Sequence, residues 1–74
     1  MIFAENLRAM REKLGLSAEE LARRVHVSRS YITLLENGKR SPGKTLIPKI
    51  ARALRLEKSV VVGWYLADQK EKLG

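Results

Sequence analysis

Arg29, Ser30 and Thr33 are the side chains of this sequence best suited to chemistry. They share the outer face of a helical pattern that starts at Ser28, while Tyr31, Ile32 and Leu35 mark its apolar positions. The chemistry is hydrogen bonding rather than bond breaking. An arginine can donate two parallel bonds to O6 and N7 of guanine, a pairing worth ~1–3 kcal/mol of discrimination. Serine and threonine hydroxyls pair with base edges or phosphates, and a threonine methyl can meet the methyl of thymine. A helix with such groups at its exposed N-terminal end is what the major groove of duplex DNA admits. A phosphate contact is the alternative role for Arg29. Leu34 follows Thr33 onto a face expected to be partly wet, where it either touches thymine methyls or packs against a partner.

Other chemistry is excluded by what the chain lacks. It has no cysteine, and so no disulfide, thiolate metal site or thiol nucleophile. Its single histidine, His26, has no second metal-type ligand nearby in sequence and reads as a turn residue. Without clustered carboxylates, a triad or a phosphate-cradling loop, neither an enzyme nor a cofactor is expected. No small-molecule ligand is evident. The 74 residues suit one domain, 1–74, and 45% hydrophobic content suits a folded one. No apolar run approaches the ~20 residues needed to span a bilayer, and MIFAENLR does not read as a signal peptide. A cytoplasmic setting is expected.

Charge points to a polyanion. The net charge is +7, and between Arg23 and Lys58 ten Lys or Arg face only two acids, Glu36 and Glu57. A solvated surface is the plain alternative. The scarcity of aromatics for base stacking weighs against RNA.

The elements that must position these residues are short helices. Ser17, with Glu20 three residues on, forms a capping-box pattern that opens a helix over 18–25, with Leu21, Ala22 and Val25 apolar. The turn His26-Val27 is so short that the next helix, 29–37 from its Ser28 cap to the stop Asn37-Gly38, must cross steeply. Ahead lies a helix over about 3–14, with Phe3, Leu7, Met10 and Leu14 as core and Gly15 as stop. After the loop Gly38–Lys44, Thr45 is read as the cap of a helix over 46–54, which makes Pro48 its third residue. Proline is tolerated there because the first N–H groups have no helical partner. Leu46, Ile47, Ile50, Ala51 and Leu54 are expected in the core. Ser59 is read as the cap of a last helix over about 60–72, although Val, Trp and Tyr also favour a strand. Residues 60–67, VVVGWYLA, are apolar on all sides, more than one protomer can bury, and 68–74 read as a fraying polar tail or a cut towards a further domain.

Taken together, Ser17–Gly38, the lead-in Leu14-Gly15-Leu16-Ser17, the end Leu35-Glu36-Asn37-Gly38-Lys39 and the segment Leu46–Leu54 resemble the lambda-repressor and Cro, or Xre, helix-turn-helix family. The resemblance spans roughly Leu7 to Leu56. It implies an all-α, compact five-helix lambda-repressor-like domain that binds double-stranded DNA as a transcriptional regulator. A dimeric repressor reading a near-palindromic operator is the favoured form. Base readout is expected from Arg29, Ser30 and Thr33. Backbone contacts are expected from Ser28, Tyr31, Asn37, Lys39, Arg40, Ser41 and Lys44. The resemblance also implies an ion pair between Arg11 and Glu36, and a homodimer interface drawn from Val61, Val62, Trp64, Tyr65 and Leu66, some of which are core. Two positions depart from the family pattern: Ala18 stands where glutamine is usual, and His26 where glycine is usual. An antitoxin or other interaction module on the same fold is the alternative function.

Overall fold

The computed structural model describes the backbone of residues 1–73 and the side chains through residue 70. It contains five helices, α1 Ile2–Lys13, α2 Ala18–Val25, α3 Arg29–Glu36, α4 Leu46–Ala53 and α5 Lys58–Leu73, with no strand among the described residues. The last segment is therefore helical.

The helix ends follow from a few local hydrogen bonds. Ser17 Oγ accepts the Glu20 N–H at 3.0 Å, and Ser28 Oγ accepts the Tyr31 N–H at 3.1 Å. Only half of the expected capping box forms. The Glu20 carboxylate accepts from the Ser17 hydroxyl at 3.4 Å instead of reaching the backbone N–H. Thr45 makes no side-chain cap, since its own backbone is already helical. Leu46 N–H instead finds Gly43 O at 3.0 Å, and Pro48 is the third helical residue as expected.

The first four helices stop by one device, a left-handed residue whose flanking N–H groups close on the last turn. Gly15, His26, Gly38 and Arg55 hold φ of 71°, 60°, 73° and 58°. Leu16, Val27, Lys39 and Leu56 then donate to Arg11, Ala22, Leu34 and Ala51 carbonyls at 2.9–3.1 Å. The turn at Gly15 redirects the chain, so Leu14 is 40% exposed and not core; Leu16 is buried in its stead. Met10 is half-buried. α5 starts at Lys58, with the Val60 N–H on Glu57 O, so Ser59 lies inside the helix and does not cap it.

Phe3, Leu7, Leu21, Val25, Ile32, Leu35, Ile50, Leu54 and Val61 form the fully buried centre. α1 and α4 pack on α5, α2 packs on α3 and α4, and α1 also touches α3. Phe3 meets Trp64 edge to face at 6.1 Å between centroids.

Asp68 corrects the reading of 68–74 as a fraying tail. It is buried, and its carboxylate accepts Ile2 N–H at 2.7 Å and Phe3 N–H at 2.9 Å. A carboxylate at this site satisfies two of the free N–H groups of α1 and faces the positive end of its dipole. Gly74 and the side chains of 71–73, also part of that reading, lie outside the described residues. Asp68→Ala is expected to cost about 2 kcal/mol, which in a domain of this size lowers Tm by about 10 °C. A thermal melt checks this, and a shift under 2 °C or so would show the cap to be dispensable.

Candidate nucleic-acid interface

α3 has two faces with different tasks. Ile32 and Leu35 are fully buried against α2 and the core. Arg29, Ser30 and Thr33 are exposed, and together with half-buried Leu34 they line one shallow depression of about 460 Å³. Leu34 therefore belongs to the same surface as the polar trio, which sequence reasoning left open. Thr33 Oγ1 donates to the Arg29 carbonyl at 3.2 Å. Its proton is committed, so Thr33 offers the outside a methyl group and acceptor lone pairs. Ser28 Oγ is committed as an acceptor by its cap, leaving its proton to donate.

The loop that leaves α3 is held and charged. Pro42 is buried, whereas Asn37, Lys39, Arg40, Ser41 and Lys44 are exposed. Tyr31 is half-buried against the core. The expected backbone set thus consists of exposed groups apart from Tyr31, whose ring is mostly spent on packing.

Behind α3 sits the pair that sets its angle. Arg11 Nε and Nη2 donate to Glu36 Oε2 and Oε1 at 2.6 and 3.0 Å, and Nη1 donates to Leu16 O at 2.7 Å. One guanidinium therefore ties together α1, the turn before α2 and the end of α3. The side chains are only 14% and 8% exposed. The hydrogen bond to Glu36 raises the Arg11 pKa above its ordinary value, and burial opposes this. The raised pKa means that Arg11 loses its own charge, and with it its part of the pair, only as pH rises above the ordinary arginine range; the pair also requires the Glu36 carboxylate to stay ionised.

The α5 residues divide by burial. Val61 is fully buried in its own protomer's core, and Val62, Trp64 and Tyr65 are half-buried. Leu66 is 57% exposed and Val60 43%. Ile47, Val62, Tyr65 and Leu66, rimmed by Lys44 and Lys58, line an apolar groove of about 270 Å³. No cluster of three or more metal-ligating side chains occurs among the described residues.

The family profile described as Helix-turn-helix matches residues 7–60. The chain belongs to this helix-turn-helix family. A regulator of Methanothermobacter thermautotrophicus, named an uncharacterised HTH-type transcriptional regulator, is 51% identical over 69% of this chain and 74% of its own length. A protein of the same description from Archaeoglobus fulgidus is 48% identical over 92% and 93%. Among solved structures, the restriction-modification controller protein C.AhdI from Aeromonas hydrophila is 37% identical over 80% of this chain and 89% of its own, with a TM-score of 0.76.

The helix-turn-helix proper is α2, the turn and α3. His26 supplies the left-handed turn residue in place of the usual glycine, with its side chain exposed. Ala18 occupies the first helical position of α2 and has no polar group to offer. The match stops at residue 60, so nearly all of α5 lies beyond the shared span.

Proposed function

We propose that this chain is a sequence-specific DNA-binding transcriptional regulator. It acts as a homodimer and represses by occupying a near-palindromic operator, with one α3 in the major groove of each half-site. The observation that carries the reading is the grouping of Arg29, Ser30, Thr33 and Leu34 on the outward face of α3, with Arg11–Glu36 bracing the helix from behind. The relatives' names support it, and they are those of regulators rather than enzymes. Lys39, Arg40, Ser41 and Lys44, with Ser28, Tyr31 and Asn37, hold the duplex backbone and set the register without reading sequence. Its place of action is the cytoplasm, where the DNA it reads would lie; no described helix is long and apolar enough to cross a membrane.

Selection from a random duplex pool at near-physiological salt tests the proposal. An enriched palindrome with half-sites about one helical turn apart is the expected result. Uniform, salt-sensitive binding without enrichment would overturn the sequence-specific reading and favour an interaction module such as an antitoxin. Arg29→Ala is expected to relax preference at one position of each half-site, at ~1–3 kcal/mol. An unchanged selected sequence would remove Arg29 from base readout.

The second copy docks on α5 through Val62, Tyr65 and Leu66, with Val61 and Trp64 behind them in the protomer. Gly63 lies on the exposed side of this helix, and a Cβ built there meets nothing in the protomer within 4 Å. Gly63→Ala should therefore stabilise the protomer by about 1 kcal/mol, since glycine is a poor residue for a helix interior. If a partner helix packs there, the same change weakens dimerisation. Sedimentation equilibrium separates the two effects, and undiminished dimerisation would move the interface away from this face.

A further inference from the structure

We propose that the basic hollow between the C-terminal ends of α2 and α4 is a phosphate-binding site. Arg24, His26, Lys49, Arg52, Ala53 and Arg55 line a hollow of about 460 Å³. No acidic side chain lines it. Among the described residues, none of its four Lys or Arg groups takes part in an ion pair. Cations gathered without counter-charge repel one another, and an anion relieves that repulsion. Three guanidinium forks around one space suit phosphate oxygens, which accept paired N–H bonds.

The backbone supplies an independent sign. Four helix ends use a left-handed residue, and two of them use glycine, the residue with no steric penalty there. The other two, His26 and Arg55, are the only described non-glycine residues with positive φ, and both line this hollow. Glycine at these positions would relieve the strain and remove two of the five basic side chains. Strain kept where a cheaper residue is available clusters at binding sites. Neutralising the negative helix ends explains some of the charge, since Arg24 and Arg52 sit in the last turns of α2 and α4. It does not require Arg55 beyond the end of α4, or Lys49 a turn earlier.

The phosphate has two possible sources. Arg29 is three residues after His26, so their Cα atoms are at most about 11 Å apart. His26 therefore brings one edge of the hollow near the N-terminal end of α3, so a backbone phosphate of bound duplex is one source. A free oligophosphate is the other source.

Two titrations separate them. The first is calorimetry of the DNA-free protein with inorganic pyrophosphate. Saturable binding is expected, weakened about tenfold or more in Arg24→Gln/Arg52→Gln. Arg8→Gln/Lys13→Gln removes the same charge from α1 and is expected to bind as the parent does. The second is duplex binding against salt, where Arg24→Gln/Arg52→Gln shallows the log–log slope by about two per protomer if backbone phosphates occupy the hollow. Pyrophosphate binding with an unchanged slope assigns a free oligophosphate; a changed slope assigns the duplex. Neither effect, or equal losses in both double variants, overturns the site. The duplex arm rests on the proposed DNA binding, whereas the pyrophosphate arm does not. A parent chain that fails to bind DNA is therefore distinguished from one that lacks this site.

Discussion

Glu36→Ala is expected to lower the unfolding free energy by about 3–5 kcal/mol, the cost of leaving one member of a desolvated ion pair alone. The carboxylate is 8% exposed and receives both the Nε and Nη2 of Arg11, so its loss strands a guanidinium that is itself 14% exposed. A domain of 74 residues has only about 4–11 kcal/mol of stability in all, so the variant should melt near or below ordinary growth temperatures. Arg11→Ala should be as severe, since it also leaves the Leu16 carbonyl without its donor. The double variant should cost less than the sum, because each single change already breaks the shared bond. Replacing both residues by apolar ones of similar volume should recover much of the loss, since neither charge then has to be buried. Urea unfolding of the four variants checks the set. A cost under about 1 kcal/mol for Glu36→Ala would mean that the pair behaves like a surface salt bridge. The functional consequence follows from the geometry. Glu36 is the last residue of α3, and without its anchor the helix can pivot relative to α1, so operator affinity should fall even in the fraction still folded.

The second large effect concerns salt. Lys39, Arg40 and Lys44 in the loop after α3 are exposed, and the proposed dimer on its operator would present six such groups to the duplex backbone. Each neutralised phosphate releases condensed counterions, so affinity for operator should fall about a thousandfold between about 50 and 200 mM salt. Lys39→Ala and Arg40→Ala should each shallow the log–log slope by roughly one per bound protomer and weaken all duplexes alike. Titrations of operator and scrambled duplex at several salt concentrations decide the matter. A slope near zero would show that the loop does not lie on the backbone. A slope lost only for operator would move these residues from register to readout.

What was legible in the sequence was what depends on near neighbours. Ser17 and Ser28 cap their helices because a hydroxyl two or three residues from a free N–H needs no tertiary contact to find it. Gly15 and Gly38 end theirs because only backbone sterics are involved. The same local logic separated Ile32 and Leu35 from Arg29, Ser30 and Thr33, and placed Pro48 where its missing N–H costs nothing. The Arg11–Glu36 pair was a different case. It was foreseen through the family resemblance, since nothing in a 25-residue spacing requires two side chains to meet.

The tertiary structure decided the rest. Leu14 was exposed and Leu16 buried by the direction in which the chain leaves Gly15, which helical periodicity does not encode. Leu34 joined the polar trio because of where the bodies of α2 and α1 leave α3 open. Asp68 became a buried cap because α5 runs back along α1 and brings a carboxylate to two N–H groups 65 and 66 residues away in sequence. Arg24 and His26 met Lys49, Arg52 and Arg55 because α2 packs on α4, so that basic residues scattered in sequence became one basic hollow. By itself, the order of residues determined where α2 and α3 begin and end, which side of α3 carries the polar trio and the sign of the charge, because these are properties of a few adjacent residues. Which distant groups share one surface was decided only by how the helices pack, because that depends on the sum of many weak contacts across the whole core.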